Sequence, residues 1–332
     1  MLAPRFLQMA TIGIFDSGVG GLSVFREIRR LLPTERYIYF ADNAFCPYGT
    51  KTQAFIQGRA REITELLVRR GADIIVVACN TATAAAIAAL RAEFSDGPSD
   101  ALREWSDGRL ERLSFIGMEP AVKPAALGTK SGVIGVLATA GTLAASKYLK
   151  TRGLYEDNVK IVEHVGQGFV ELVESGELTG THAEAVVRES LLPLLEAGAD
   201  TIVLGCTHYP FLLETLQKVA DEYVQAGSPV QAGPDHADAS VQADPGMAGA
   251  STPEDVRPIR FIDPAPAVAR QLLKVMDREG IFHGPAADLE GTSQKAADLE
   301  GTSQEATGPQ SADLTLLSSG PSCILCDAAR LL

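Results

Sequence analysis

The chain has 332 residues, of which 46% are hydrophobic, and a formal net charge of −13. The negative charge argues against a nucleic-acid partner, because a protein that neutralises phosphates needs basic patches. Five cysteines are too few for a disulfide framework, so we expect reduced thiols and a cytoplasmic location. We also expect no membrane association, because no apolar stretch is long enough to span a bilayer and residues 1–10 do not resemble a signal peptide.

Predicted strands and helices alternate along the chain. The first series has strands at 11–15, 37–40 and 73–78 and helices at 22–32 and 53–70. Residues 98–112 are polar and are predicted to form an irregular surface excursion. A second series follows, with strands at 115–117, 133–137, 160–164 and 201–204 and helices between them. This alternation predicts an α/β fold with parallel sheets, in which ligands bind at the carboxyl ends of the strands.

Two segments are predicted to be disordered insertions. Residues 226–256 are rich in Ala, Asp, Gly and Pro, and residues 284–311 contain a near-perfect tandem repeat of ten residues. Such compositions bury too little apolar surface to offset the entropy of ordering the chain. The tail from Leu314 to Leu332 is apolar again and predicts a strand and a helix.

Two cysteines occupy matching positions in the two series. Cys79 and Cys206 each follow an apolar run that predicts a buried parallel strand, and each precedes a helical stretch. A lone cysteine there is usually a core residue, but the helix dipole lowers the pKa of a thiol and favours the reactive thiolate. The pair indicates a site with a sulfur on either side of one small ligand. That arrangement suits the removal of a proton from one face of a carbon and its return to the other.

A glycine-rich loop, Asp16–Gly21, follows the first strand. It matches neither a dinucleotide fingerprint nor a phosphate loop. One interpretation is a tight turn capped by Asp16. The other is a ligand site, in which Asp16 and Ser17 touch a polar substrate and the glycines allow its close approach.

Further polar residues lie at the ends of predicted strands. Tyr48 and Gly49 follow the second strand, where they form either a simple turn or a source of one hydroxyl and one amide for a ligand. His208 lies two residues after Cys206 and is either structural or able to share a proton with that thiol.

The other cysteines and one glutamate receive no role from their pattern. Cys323 and Cys326 have the spacing of a metal or redox pair, but a zinc site would lack its remaining ligands, so we predict a helix there. Cys46 lies in a predicted loop. Glu174 lies in a predicted helix, 169–175, and is expected to be a solvated charge.

Four motifs in chain order resemble those of glutamate racemases, in the aspartate/glutamate racemase family. They are Gly13–Leu22, Pro47–Gly49, Ala78–Thr81 and Gly205–Pro210. The resemblance extends from about residue 11 to about residue 283, and Ser318–Gly320 resembles the closing turn of the family. Residues 165–168 depart from the family pattern, and Glu174 is the candidate for a family glutamate near the second thiol.

The resemblance implies two pseudo-symmetric α/β domains with the active site between them. The first domain would comprise residues 11–115, 210–283 and 312–332, and the second would comprise residues 116–209. The implied reaction interconverts L- and D-glutamate without cofactor or metal and supplies D-glutamate for peptidoglycan synthesis. The resemblance also implies a homodimer, and regulation by a cell-wall precursor as in some relatives.

The resemblance also assigns roles to individual residues. Cys79 would deprotonate D-glutamate with the help of Asp16, and Cys206 would deprotonate L-glutamate with the help of His208. The implied substrate-binding residues are Asp16, Ser17, Tyr48, Gly49, Asn80, Thr81, Thr142, Thr207 and His208, with Thr139 in the same loop as Thr142. Two alternatives stay open at this point. They are a racemase of the same fold for aspartate or a related amino acid, and a catalytically silent binding protein.

Overall fold

A computed structural model describes residues 9–227, 258–281 and 313–320, together with Leu325. The described strands form two sheets in which every pairing is parallel. The first sheet has the order β4-β3-β1-β2-β9, with β1 (Thr11–Asp16), β2 (Arg36–Ala41), β3 (Ile74–Val77), β4 (Ser114–Ile116) and β9 (Leu314–Ser318). The second has the order β6-β5-β7-β8, with β5 (Val133–Ala138), β6 (Lys160–Val165), β7 (Thr201–Gly205) and β8 (Arg260–Ile262). The predicted α/β class with parallel sheets is confirmed.

Eleven helices are described. They are α1 (Leu22–Leu31), α2 (Gln53–Arg69), α3 (Asn80–Phe94), α4 (Asp100–Trp105), α5 (Val122–Gly128), α6 (Ala140–Leu143), α7 (Ser146–Gly153), α8 (Phe169–Ser175), α9 (Thr181–Glu196), α10 (Leu213–Gln225) and α11 (Ala265–Glu279). Apolar residues at helical spacing decide which face of each helix packs inward. In α1, Leu22, Phe25 and Ile28 lie on one face and are fully buried. None of the helices of the described segments has the length and apolar character needed to cross a bilayer.

Strands β1, β3 and β7 are buried along their whole length. Parallel strands covered by helices on both faces consist of nearly continuous apolar residues, which is why these three were visible in the sequence. Their carboxyl ends carry the motifs of the predicted site, so the two sheets hold the site residues on rigid elements.

The chain divides between the sheets differently from the prediction for residues 210–283. Strand β8 pairs with β7 in the second sheet, and α10 packs against α9. We call each sheet, with the helices that pack on it, a unit. The chain therefore returns to the first unit only at α11, which packs against α1. Strand β8, which has three residues, was not predicted.

The predicted irregular excursion at 98–112 is wrong for residues 100–105, which form α4. Leu102 and Trp105, one helical turn apart, are buried there, and the Trp105 ring lies 5.2 Å from the ring of Phe94. Strand β9 confirms the strand predicted in the C-terminal tail. Cys323, Cys326 and nearly all of both predicted insertions, 228–256 and 284–311, lie outside the described residues.

Candidate active site

The two cysteines of the matched strand ends line one cavity. Cys79 is 5% exposed and Cys206 is 7% exposed. Most of the other predicted site residues line the same cavity, namely Ser17, Tyr48, Gly49, Asn80, Thr81, Thr207 and His208, joined by Pro47, Thr139 and Val170. Residues from the first and the second unit therefore meet around one point, as the fold prediction required.

The cavity is small in this conformation. The centre of a water molecule can occupy a volume of about 10 Å³ inside it. The cavity therefore holds roughly one water molecule. A ligand of several non-hydrogen atoms therefore needs more room than the cavity offers in this conformation.

Asp16 joins the two units at the end of β1. It is fully buried, and its Oδ2 accepts hydrogen bonds from the Gly21 amide at 2.7 Å and from the Thr207 hydroxyl at 3.3 Å. Ser17 donates to Oδ1 over 3.4 Å. Burial raises the pKa of Asp16, and the nearby positive charge of His208 partly opposes that effect.

Cys79 is the N-cap of α3, with extended backbone angles of φ −145° and ψ 121°. Its sulfur accepts the Ala82 amide at 3.5 Å and lies 3.8 Å from the Ser17 hydroxyl. Burial, reinforced by the charge of Asp16, raises the pKa of the Cys79 thiol well above its usual value, and the Ala82 amide opposes this. The predicted lowering of the Cys79 pKa by the helix is thus outweighed by desolvation in the closed cavity.

The second thiol has a different partner. Cys206 Sγ lies 3.7 Å from His208 Nδ1, and His208 Nε2 lies 2.7 Å from Glu174 Oε1. Burial lowers the pKa of His208, but hydrogen bonds with Cys206, Cys46 and Glu174 outweigh it and raise the pKa well above its usual value. His208 therefore carries a positive charge beside Cys206.

Glu174 is a site residue that the sequence pattern did not reveal. Its side chain is 18% exposed, contrary to the expected solvated charge, and Oε1 also accepts the Val19 amide at 2.8 Å. Burial raises the pKa of Glu174, but the bonds from His208, Val19 and Cys46 outweigh it and lower the pKa. Glu174 and His208 therefore form an ion pair inside the protein.

Two glycines of the first loop make room for this pair. A Cβ atom at Gly18 would lie 2.0 Å from Glu174 Oε1, and one at Gly20 would lie 2.3 Å from His208 Nδ1. Both distances are far below van der Waals contact. The loop is therefore more than a capped turn, because its glycines admit the charged pair of the other unit.

The ring of Tyr48 lines the cavity, but its hydroxyl has a partner within the protein. It donates to Asp42 Oδ2 at 2.5 Å, and Arg59 binds the same carboxylate over 2.7 and 3.0 Å. Burial and the bond to Asp42 raise the pKa of Tyr48, which keeps the hydroxyl protonated. Asp42 and Arg59 were not predicted, because only the fold brings them together.

Asn80 and three threonines complete the polar lining. Among the described residues, neither the amide nitrogen nor the amide oxygen of Asn80 has a hydrogen-bond partner, although both atoms are buried. The hydroxyl of Thr139 lies 3.1 Å from that of Thr81 and 3.0 Å from that of Thr142. Thr142 lines a neighbouring small cavity, which it shares with Asn80, and not the one between the cysteines. Unpaired buried amide groups are rare in proteins, so Asn80 indicates a polar ligand.

The chain is similar to known racemases along most of its length. Residues 12–237 match the family described as Asp/Glu/Hydantoin racemase. The glutamate racemase of Pseudomonas putida is 41% identical over 282 residues, which cover 85% of this chain and 87% of that relative. The crystal structure of a glutamate racemase isoform from Bacillus anthracis covers 97% of this chain and 93% of its own, with a TM-score of 0.65 and 27% identity.

A third relative was crystallised with ligands. The structure of Escherichia coli glutamate racemase in complex with L-glutamate and the activator UDP-MurNAc-Ala has a TM-score of 0.61 and 31% identity. The alignment covers 85% of this chain and 87% of the relative. The resemblance to glutamate racemases that the motifs predicted is confirmed, and the chain belongs to the Asp/Glu/Hydantoin racemase family.

Proposed function

We propose that the protein interconverts L- and D-glutamate by proton transfer between two thiols. The observation that carries the proposal is that Cys79 and Cys206, at equivalent strand ends of the two units, line one small cavity. The E. coli relative binds L-glutamate in its crystal structure. Each thiol can serve one face of the substrate α-carbon, so that one removes the proton and the other supplies its replacement.

The two thiols would work with different partners. In the direction from L- to D-glutamate, the Cys206 thiolate takes the α-proton beside the His208 imidazolium, and Cys79 donates a proton to the opposite face. In the reverse direction Cys79 is the base, next to Ser17 and Asp16. The high pKa of the buried Cys79 thiol makes a strong base once ionised, which helps with the weakly acidic α-proton.

The remaining barrier is the negative charge that develops at the α-carbon and its carboxylate. Donors already aimed into a cavity without water stabilise such charge better than solvent does. Asn80 supplies a buried amide that has no partner among the residues the structure describes, and the hydroxyls of Thr81 and Thr207 face the same cavity. We assign these groups to the substrate carboxylates and amino group.

The reaction is tested by incubating the protein with L-glutamate in deuterium oxide and following the product by chiral chromatography and mass spectrometry. We expect D-glutamate that carries one deuterium at the α-carbon, without added cofactor. Parallel incubation with L-aspartate separates the alternative racemase, because that enzyme would convert aspartate faster than glutamate. Tight binding of glutamate without any exchange at the α-carbon would instead identify a binding protein.

We place the reaction in the cytoplasm, where D-glutamate would enter peptidoglycan synthesis. Among the described residues, Cys46, Cys79 and Cys206 are free thiols, and a reducing compartment keeps them so. A homodimer is our expectation for the assembly, which sedimentation velocity tests directly.

We further propose that an anionic cell-wall precursor regulates the enzyme through a second cavity of about 570 Å³. Four basic side chains line it, namely Arg91, Arg112, Lys147 and Arg278. Lys147 pairs with Glu119, whereas Arg112 has no ion pair among the described residues. The E. coli relative binds UDP-MurNAc-Ala as an activator. Arg112→Glu should reduce the ratio of activity with and without this compound, and an unchanged ratio would contradict the assignment.

A further inference from the structure

We propose that Cys46, Glu174 and His208 form a binding site for a thiophilic divalent cation such as Zn²⁺, and that the bound ion inhibits the enzyme. The Cys46 sulfur, one carboxylate oxygen of Glu174 and one ring nitrogen of His208 all lie within 4.8 Å of one another. The bound cation would inhibit because it holds these three side chains in an arrangement other than the one that the reaction uses. It is not a cofactor, and the inhibition, unlike the binding, rests on the function proposed above.

The three ligands come from three separate segments. Cys46 follows the 3₁₀ turn after β2, Glu174 lies in α8, and His208 follows β7. Glu174 Oε1 is 2.7 Å from His208 Nε2 and 3.8 Å from Cys46 Sγ. Because ligands from both units converge, a bound ion would also hold the two units together.

The donor set suits zinc better than magnesium or calcium. One thiolate sulfur, one imidazole nitrogen and one carboxylate oxygen are its usual ligands, at about 2.3, 2.0 and 2.1 Å. In a tetrahedron these lengths place the ligand atoms about 3.4 to 3.6 Å apart. The sulfur–oxygen distance of 3.8 Å is close to that value, and the nitrogen–oxygen distance of 2.7 Å needs to widen by less than 1 Å. Three protein ligands would leave the fourth position for water, so that the ion can exchange.

Parts of the surroundings already support such a site. The Val19 amide donates to Glu174 Oε1 at 2.8 Å and fixes the carboxylate, as outer partners of metal ligands do. Cys46 is partly exposed, whereas Cys79 and Cys206 are buried. An ion arriving from solvent can therefore reach Cys46 while the catalytic cavity is closed.

Binding changes the proton inventory of the site. The Nε2 proton of His208 and the thiol proton of Cys46 leave to solvent as Zn–N and Zn–S bonds form. The imidazole keeps the proton on Nδ1, the atom that lies 3.7 Å from Cys206 Sγ, but the ring loses its positive charge. Cys206 serves both reaction directions, as base or as acid, so the ion should inhibit both.

The experiment compares Cys46→Ser with wild type and with Cys206→Ser, which removes a thiol beside His208 but outside the trio. Cobalt serves as a spectroscopic probe, because a thiolate bound to Co²⁺ gives an intense charge-transfer band. Zinc affinity is measured by competition with a chromophoric chelator. We expect wild type and Cys206→Ser each to bind one equivalent of zinc tightly. The zinc affinity of Cys46→Ser should be at least about 100-fold lower, because loss of a direct ligand should cost no less than the largest effect of losing an outer partner.

Activity supplies the second readout. Zinc should inhibit wild type, a chelator should restore it, and the zinc concentration for half-inhibition should rise by a similar factor in Cys46→Ser. Equal zinc binding by wild type and Cys46→Ser would overturn the site, because the ion would then be held by other thiols of the chain, such as Cys79 and Cys206 or Cys323 and Cys326. Absence of stoichiometric zinc in wild type would also overturn it. If the protein does not racemise glutamate, the binding measurements still decide the site, and circular dichroism confirms that each variant is folded.

Discussion

Oε1 of Glu174 lies 2.7 Å from Nε2 of His208, and 34 residues separate the two in the chain. The carboxylate stabilises the imidazolium, and the imidazolium lies beside Cys206. We therefore infer that Glu174 acts on the reaction through His208, as a positioning residue.

The pair predicts a pH profile for Glu174→Gln. The amide keeps the size of the side chain but removes its charge, so the pKa of His208 should fall. We expect turnover to drop by about 10- to 100-fold, less than the roughly 10²- to 10⁴-fold typical of a lost acid or base. The alkaline limb of the pH–rate profile should move to lower pH. A uniform drop with an unshifted limb would indicate a merely structural role.

The same pair predicts how stability depends on pH. The folded state raises the pKa of His208 above the unfolded value of 6.5, so it binds the proton more tightly. This contribution is fully present below about pH 6.5, decreases as pH rises and is lost above the folded pKa. Urea midpoints of wild type should therefore fall as the pH rises above 6.5. The fall should be shallower in Glu174→Gln, and parallel curves would contradict the ion pair.

One glycine substitution in the loop after β1 should disturb this pair. In Gly20→Ala the new methyl group would lie 2.3 Å from His208 Nδ1, so the His208 ring must shift from its place beside Cys206. We expect a loss of turnover on the order of 100-fold, since a displacement of 1 Å can cost that much. The control is Gly58→Ala in α2, where a Cβ meets nothing within 4 Å. It should keep full turnover and gain about 0.5 to 1 kcal/mol of stability. Equal activity in both variants would show that the loop adapts.

The part of the site visible in the sequence is the part carried by buried strands. Cys79 and Cys206 could be located because each follows an apolar run long enough to predict a parallel strand. The pattern of α8 alone did not reveal Glu174, although the family resemblance named it, because its partner His208 lies in another segment of the chain. The raised pKa of Cys79 also escaped prediction, because desolvation depends on how far the two units close.

Tyr48→Phe separates substrate binding from internal support. The hydroxyl donates to Asp42, which is fully buried and also bound by Arg59. We expect a loss of about 0.5 to 1.5 kcal/mol of stability, the usual contribution of one hydrogen bond, with KM for glutamate nearly unchanged. Urea unfolding and steady-state kinetics measure the two effects. A rise of KM above about tenfold at unchanged stability would instead place the hydroxyl on the substrate.

The two cysteines should have separate and directional roles. A serine hydroxyl is far less acidic than a thiol, so Cys79→Ser and Cys206→Ser should each lose nearly all racemisation. Each variant nevertheless keeps one thiol that can remove a proton from one face. A glutamate analogue with a leaving group on the β-carbon needs only that step, since elimination follows proton abstraction.

Cys79→Ser retains Cys206 and should therefore eliminate from the L-analogue, whereas Cys206→Ser retains Cys79 and should eliminate from the D-analogue. Product formation is followed by absorbance with each enantiomer and each variant. Cys46→Ser provides the control for removal of a thiol outside the cavity between Cys79 and Cys206, and it should eliminate from both enantiomers. The same stereochemical preference in Cys79→Ser and Cys206→Ser, or full racemisation by either one, would rule out a mechanism with one base for each face of the α-carbon.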